Sequence, residues 1–186
     1  MPPPFPPRRI FSRRLSLAIA APEDAGDFFA LLTGDLAIAR NTARIPVPYQ
    51  REHADAFMQH AGAAFATGVE YVFAARLGGA LVACCGVTRK DGAPAGEWDL
   101  GYWVGAPFRG RGIASEAGTT VVGYARDHLG ADAATAEYFI DNPASGAVLR
   151  RIGFAPSGER ATRFSLGRGG AVEAVRMRMS LRAAAP

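Results

Sequence analysis

Arginine and glycine alternate over residues 109–112 of FRGRGIASEA (108–117), directly ahead of a run of good helix formers. Glycine loses more conformational freedom on folding than any other residue, so its use at a helix start implies that the backbone itself must be accessible. The first turn of a helix offers unpaired N–H groups and a partial positive charge, which together make an anion site. Glycines let a phosphate approach with no Cβ in the way, and Arg109 and Arg111 add charge-assisted donors. The spacing therefore predicts a cradle for a phosphate or pyrophosphate, the alternative being a plain glycine-rich turn.

The type of phosphate ligand is narrowed by what the stretch lacks. There is no GxxxxGK[ST], which excludes a nucleoside-triphosphatase loop. Gly110-Arg-Gly112-Ile-Ala-Ser115 begins like a dinucleotide fingerprint but lacks its last glycine. Gly110 also lies six residues beyond the end of the preceding strand pattern instead of next to it, so the dinucleotide match is poor.

The elements that must position this loop are legible from periodicity. RLSLAIA (14–20) alternates and reads as a strand, followed by a helix from Pro22 to about Leu32. Residues 39–50 carry two prolines and read as a loop, and Arg51 to Ala66 as a second helix. EYVFAAR (70–76) and ALVACCGV (80–87) form a tight hairpin, and WDLGYWV (98–104) is a third consecutive strand. A helix is predicted over 112–130, a strand over 134–140 and a short helix over 142–153, with Asn142 as N-cap, Pro143 at the first position and Gly153 ending it. Two strands around GRGG close the chain, the second being VRMRMSL (175–181). This order predicts a mixed α/β sheet with helices on its faces.

Length and composition agree with one domain. The 186 residues include 49% hydrophobic and 20% charged residues, with a net charge of +4 that comes from twenty arginines and one lysine, Lys90. The arginines are spread along the chain without stacking aromatics, which argues against a nucleic-acid binder. No apolar run is long enough to span a bilayer, and the proline-rich start does not fit a signal peptide. Residues 1–11 are expected to be a disordered Pro/Arg-rich tail and 12–182 the single domain. Cys84 and Cys85 are adjacent on a strand, so they face opposite sides and cannot share a metal; reduced core thiols and a cytoplasmic location are expected. His53 and His60 are seven apart on a helix with no third ligand nearby, so no metal site is expected.

Three blocks of the sequence resemble a known family. Arg109 to Ala114 fits the (Q/R)xxGx(G/A) acetyl-CoA loop of the GNAT N-acetyltransferases. DLGYWVGAPFRGRGIASEA is close to the ELGYW…G(R/K)G(Y/I)A(T/S)EA stretch of the Rim-type branch, whose named members acetylate the N-termini of ribosomal proteins. Asn142-Pro-Ala-Ser145 followed by VLRRIGF resembles that branch's NxxSxxVLxKLGF element, and RIPVPYQREHADAF (44–57) its IPxPYTxxDAxxF segment. The resemblance covers roughly residues 12–182.

It implies the GNAT fold, about seven strands flanked by about four helices, in which the sheet splays between strands 98–104 and 134–140 to admit the pantetheine arm. It implies acetyl-CoA as cosubstrate and no metal. Cofactor contacts are expected from Trp103, Val104, Arg109, Gly110, Arg111, Gly112, Ile113, Ala114, Ser115, Asn142 and Ser145. Many relatives protonate the departing thiolate with a tyrosine whose position is held here by Leu149, which leaves Ser145 as the candidate acid. Asp99, in the place of the glutamate of ELGYW, and Glu137, five residues before Asn142, are the candidate bases. Arg40, Asn41 and Tyr49 are candidates for the acceptor side, with Arg44 beside them.

The chemistry implied is direct attack of a neutral amine on the thioester in a ternary complex. At pH 7, deprotonation costs about 1.4 kcal/mol for an α-amino group and about 4.6 kcal/mol for a lysine side chain. An enzyme without a strong base thus suits a protein N-terminus or another amine of low pKa. A small-molecule amine acceptor and a non-catalytic acyl-CoA-binding module are the other readings, and both monomer and homodimer fit.

Overall fold

A computed structural model describes residues 6–182. Eight strands form one sheet in the order β1-β2-β3-β4-β5-β6-β8-β7. β1 (Arg9–Phe11), β2 (Leu15–Ile19), β3 (Glu70–Leu77), β4 (Ala80–Thr88) and β5 (Glu97–Val104) pair antiparallel in succession. β6 (Ala133–Phe139) pairs parallel with β5, and the hairpin of β7 (Ala155–Ser165) and β8 (Gly170–Ser180) closes the sheet with β8 inside and β7 at the edge.

Five helices accompany the sheet: α1 (Ala25–Leu32), α2 (Leu36–Arg40), α3 (Arg51–Thr67), α4 (Ile113–Leu129) and α5 (Pro143–Ile152). α4 and α5 bury Ile113, Val121 and Leu149 against Leu17, Phe73, Trp98, Leu100 and Met177 on one face. α1, α2 and α3 bury Phe28, Leu32, Ile38 and Met58 against Val72 and Ala74 on the other. Cys85 belongs to the first cluster and Cys84 to the second, so the strand alternation does send the two thiols to opposite faces, both buried and free. None of the helices is long and apolar enough to cross a membrane, among the described residues.

Two sequence expectations need correction. Arg9–Phe11, assigned above to a disordered tail, is an edge strand paired Arg9 to Ala18 and Phe11 to Ser16. Ile10 packs on the core, and Ser12 N–H bonds the carbonyl of Leu15 to turn the chain; three residues between prolines and arginines carry too little pattern to register. Residues 1–5 of that tail lie outside the described residues. Residues 39 and 40, assigned to a loop, end the short helix α2, which Asp35 caps by accepting from the amides of Ala37 and Ile38 at 3.2 and 3.3 Å.

The sheet tolerates little change where its strands pack closest. A Cβ built on Gly86 would sit 2.7 Å from the carbonyl oxygen of Tyr71 on β3, a backbone atom that cannot rotate away. Gly86→Ala is therefore expected to destabilise the chain by about 1–3 kcal/mol, read as a lower midpoint in urea unfolding followed by circular dichroism.

Candidate acetyl-CoA and acceptor site

Gly110 and Gly112 adopt φ of 72° and 74°, a left-handed conformation that glycine enters without a Cβ penalty. Gly112 is the N-cap of α4 and brings no side chain to the exposed amides. The first backbone bond of the helix runs from Glu116 N–H to Gly112 O at 3.0 Å. Among the described residues, the amides of Gly110 to Ser115 meet no acceptor. At the positive end of a 17-residue helix, six open donors have the geometry that suits an anion.

The side chains of the loop behave less uniformly than expected. The exposed Arg109 is engaged within the protein: its Nε donates to Val104 O at 3.1 Å and its guanidinium pairs with Asp35, the N-cap of α2. It forms a strut between the loop and α2. Arg111 keeps an exposed side chain. Ile113 is core, and Ser115 is buried with its hydroxyl unpartnered, so both can offer a phosphate only their amides. Ala114 packs against the same core.

β5 and β6 are paired only from Glu97–Ala133 to Leu100–Ala136, and diverge beyond. On its other side β5 stays paired with β4 through Ala83–Val104, and Gly105 N–H bonds Val82 O at 3.0 Å. Hydrogen-bonded and non-hydrogen-bonded pairs alternate along an antiparallel ladder. The polar backbone groups of Tyr102 and Val104 consequently point away from β4, into the gap left by β6. With the Val104 carbonyl taken by Arg109, its N–H remains facing that gap. Trp103 has the opposite phase: its backbone turns to β4 and its ring packs edge-on against Phe28 at 5.1 Å on the other face of the sheet. That corrects its assignment as a cofactor contact.

α5 closes the far side of the gap. Asn142 acts as its N-cap, with Oδ1 accepting from Ser145 N–H at 3.3 Å, so the simple capping role is the one its side chain fills here. Ser145 Oγ lies 2.7 Å from the hydroxyl of Tyr102, which also donates to the Ser145 carbonyl at 3.1 Å. Burial pushes the Tyr102 phenol up to about 12, against a lowering by the Ser145 hydrogen bond. Leu149 is fully buried in the core. Tyr102 was missed by the sequence reading because it is 43 residues from Ser145; its place in the motif GYW was the only available signal.

The opposite face of the sheet holds the two candidate bases. Asp99 Oδ1 accepts from Thr135 Oγ1 at 2.9 Å, and Lys90 Nζ lies 2.9 Å from its Oδ2. Burial raises its pKa by more than Lys90 and Thr135 lower it. Glu137 is bound by both nitrogens of an Arg163 fork at 2.7 Å. There, burial is outweighed by the Arg163 bonds and by the charges of Lys90, Arg163 and Arg176, so the carboxyl is held below its usual range. Both carboxylates line one open cavity of about 440 Å³ between the 90–94 loop, β6, β7 and β8.

Of the acceptor candidates, Tyr49 is only 8% exposed and sits in the core beneath α1 and α3, its phenol pushed up to about 12 by burial. Named above as a candidate for the acceptor side, it is a buried residue that anchors the 41–50 loop. Arg40 and Asn41 are exposed at the end of α2. Arg44 is tied to Glu70 at 3.1 Å, together with His60 at 2.6 Å and Thr88 at 2.8 Å. His53 accepts from the amide of Gln50. Among the described residues no three metal-ligating side chains cluster.

One feature is invisible in the sequence. The turn between β7 and β8 reaches back to the α2–α3 loop, with Leu166 N–H on Ala43 O at 2.9 Å and Ser165 Oγ on Thr42 O at 3.0 Å. Arg168 donates to Arg40 O at 2.6 Å and pairs with Asp141, just past β6, at 2.6 Å. With the Asp35–Arg109 pair at the other end of α2, these contacts run continuously from the end of β5 to the end of β6. The splayed strand ends are thereby strapped together on the face of the sheet that carries α1–α3.

Solved structures share this architecture. RimJ from Mycobacterium smegmatis in complex with CoA-disulfide superposes with a TM-score of 0.85 at 18% identity, over 97% of this chain and 90% of that one. RimL, a ribosomal alpha-N-protein acetyltransferase in complex with coenzyme A, gives 0.80 at 16% over 94% and 97%. The microcin C7 self-immunity acetyltransferase MccE in complex with acetyl-CoA and AMP gives 0.80 at 16% over 91% and 93%. The sequence itself matches the acetyltransferase (GNAT) domain over residues 14–155. With the open phosphate cradle, the splayed strands and this match together, the chain belongs to the GNAT acetyltransferases, which transfer the acetyl group of acetyl-CoA to an amine.

Proposed function

We propose that this chain is a Rim-type enzyme that acetylates a protein N-terminal amine, with acetyl-CoA in the gap between β5 and β6. The observation that carries the proposal is the unpaired edge of β5, where the Val104 N–H and the groups of Tyr102 face a gap bounded by the 110–115 amides and by Ser145. Pyrophosphate rests on those amides and pantetheine runs along the edge of β5. The Val104 N–H stabilises the carbonyl oxygen as charge builds on it, and the Ser145–Tyr102 hydroxyl pair meets the departing sulfur. Such a pair supports turnover over passive acyl-CoA binding. The strap across the strand ends supports an acceptor that arrives as a narrow chain end, and RimJ and RimL are the like-folded enzymes. Two buried free thiols support a cytoplasmic location.

Between the carboxylates, Asp99 is the proposed base, acting through a chain of waters because it lies five residues along β5 from Val104, about 16 Å. A raised pKa makes it the better proton acceptor, whereas Glu137 is committed to Arg163.

Three measurements test this. Acetyl-CoA at a hundred times its Kd adds about 2.7 kcal/mol of stability, so the melting temperature rises by a few degrees, whereas NADH leaves it unchanged; equal melts in all three would sink the site. At pH 7 a peptide with a free N-terminus is expected to outpace an N-blocked lysine peptide by about 250-fold, the ratio of their neutral fractions, and equal rates would remove the N-terminal assignment. Tyr102→Phe is expected to lower kcat about tenfold with KM for acetyl-CoA within about twofold, followed by thiol release.

The base is identified by pH. Lys90 lowers the Asp99 pKa, so Lys90→Met raises it and moves the acidic limb of kcat/KM to higher pH. Arg163→Met acts chiefly on Glu137, whose carboxyl it binds directly, and is expected to move the limb less than Lys90→Met does. Because Lys90 also lowers the Glu137 pKa, a larger shift in Arg163→Met than in Lys90→Met would assign the base to Glu137.

A further inference from the structure

The first turn of α4 contains a carboxylate, Glu116, one residue beyond the amides that form the anion cradle. An acid in the first turn complements the helix dipole when the site is empty. Beside a bound pyrophosphate it repels the ligand that the cradle exists to hold. The chain resolves this conflict with the turn between β1 and β2. Ser12 Oγ donates to Glu116 Oε1 at 2.7 Å, the Arg14 amide donates to the same oxygen at 2.8 Å, and Arg14 Nε donates to Oε2 at 2.7 Å. Three donors and a full positive charge thus engage a side chain that is only 17% exposed. Burial alone would raise the pKa of this carboxyl, but the Ser12 and Arg14 bonds outweigh it and keep the group ionised.

Arg14 does more than neutralise. Its Nη2 donates to the carbonyl of Arg111 at 3.0 Å, inside the phosphate loop. The same nitrogen lies 3.6 Å from where a Cβ on Gly112 would stand, so the guanidinium rests against the N-cap of α4. A residue 97 positions upstream therefore holds the loop open at its carbonyl side while cancelling the nearest negative charge. Most exposed ion pairs contribute little; this one differs because its anion is enclosed and its cation touches the ligand-binding backbone.

We propose that Arg14 is a positioning residue of the acetyl-CoA site: resting on the phosphate loop at Arg111, it masks Glu116 from the pyrophosphate. The inference rests on the assignment of the 110–115 amides to pyrophosphate. The three residues of β1, at the edge of the sheet, then have a task that their small share of the core does not explain.

The test is calorimetric titration of the full chain with acetyl-CoA, beside steady-state KM for acetylpantetheine, a thioester that lacks the pyrophosphate. Arg14→Ala is expected to weaken acetyl-CoA binding about tenfold and to leave KM for acetylpantetheine unchanged. Adding Glu116→Gln to it is expected to restore binding to within about threefold of the parent chain, because the charge to be masked is gone. If the parent chain itself fails to bind acetyl-CoA, the phosphate-loop assignment falls and the inference with it. If the parent binds and Arg14→Ala binds equally well, or if the loss persists in the double variant, the inference alone is overturned. Should Arg14→Ala melt below the assay temperature, Arg14→Gln, which removes the charge but keeps an amide to reach the loop carbonyl, is measured in its place under the same criteria.

Discussion

The architecture turns on a ladder of hydrogen bonds that stops. β5 and β6 pair through Leu100 and Ala136 and then separate, while β5 remains bonded to β4 as far as Val104. Buried backbone N–H and C=O groups are rarely left without partners, so an interrupted ladder inside a sheet implies that something else takes the vacated positions. The groups of Tyr102 and Val104 face an open gap because β6 is absent there. The other elements are arranged around this opening: the 105–112 loop follows β5, α5 follows β6, Asp99 sits on the paired half of β5, and Glu137 lies one residue past the last pair on β6.

An interrupted sheet must be kept from closing or spreading, and here arginines do that. Arg109 ties the end of β5 to α2 through Asp35, and Arg168 ties the end of β6 to the carbonyl that ends α2. Arg163 holds Glu137 and Arg14 holds Glu116. A guanidinium presents several donors in a fixed plane, so it can satisfy a carbonyl and a carboxylate at once, which a lysine ammonium does with far less geometric definition. The arginine-rich composition thus serves as a set of struts around the site more than as a diffuse positive field. Coupling through α2 also means that the acceptor side and the phosphate loop share one rigid connection.

Much of this was legible in the sequence where structure is local. The 3.6-residue period of 113–129, the alternation of β3, β4 and β5, and the Asn-Pro start and Gly end of α5 are dictated by side chains a few positions apart. The glycine-capped start of α4 could be read because it is a property of one turn. The strand β1 and the helix α2 escaped because three and five residues hold less than a full cycle of hydrophobic pattern. Tyr49 was misplaced because loop sequence says nothing about which of its aromatics turns inward.

What the sequence by itself determined is therefore the order and type of most elements, the glycine-capped start of α4 and the family to which they belong, all of which rest on spacing within single segments. Only the tertiary structure decided which chemistry those segments share. It gave Ser145 a phenol from β5, bound Glu137 to Arg163 while leaving Asp99 the more basic carboxylate, tied Arg109 to α2, and brought Arg14 onto the 110–112 loop. Each of these is a contact between residues 26 to 102 positions apart. Their energies depend on burial and on distances of about 3 Å, which are set by the packing of the whole sheet and have no signature in neighbouring residues.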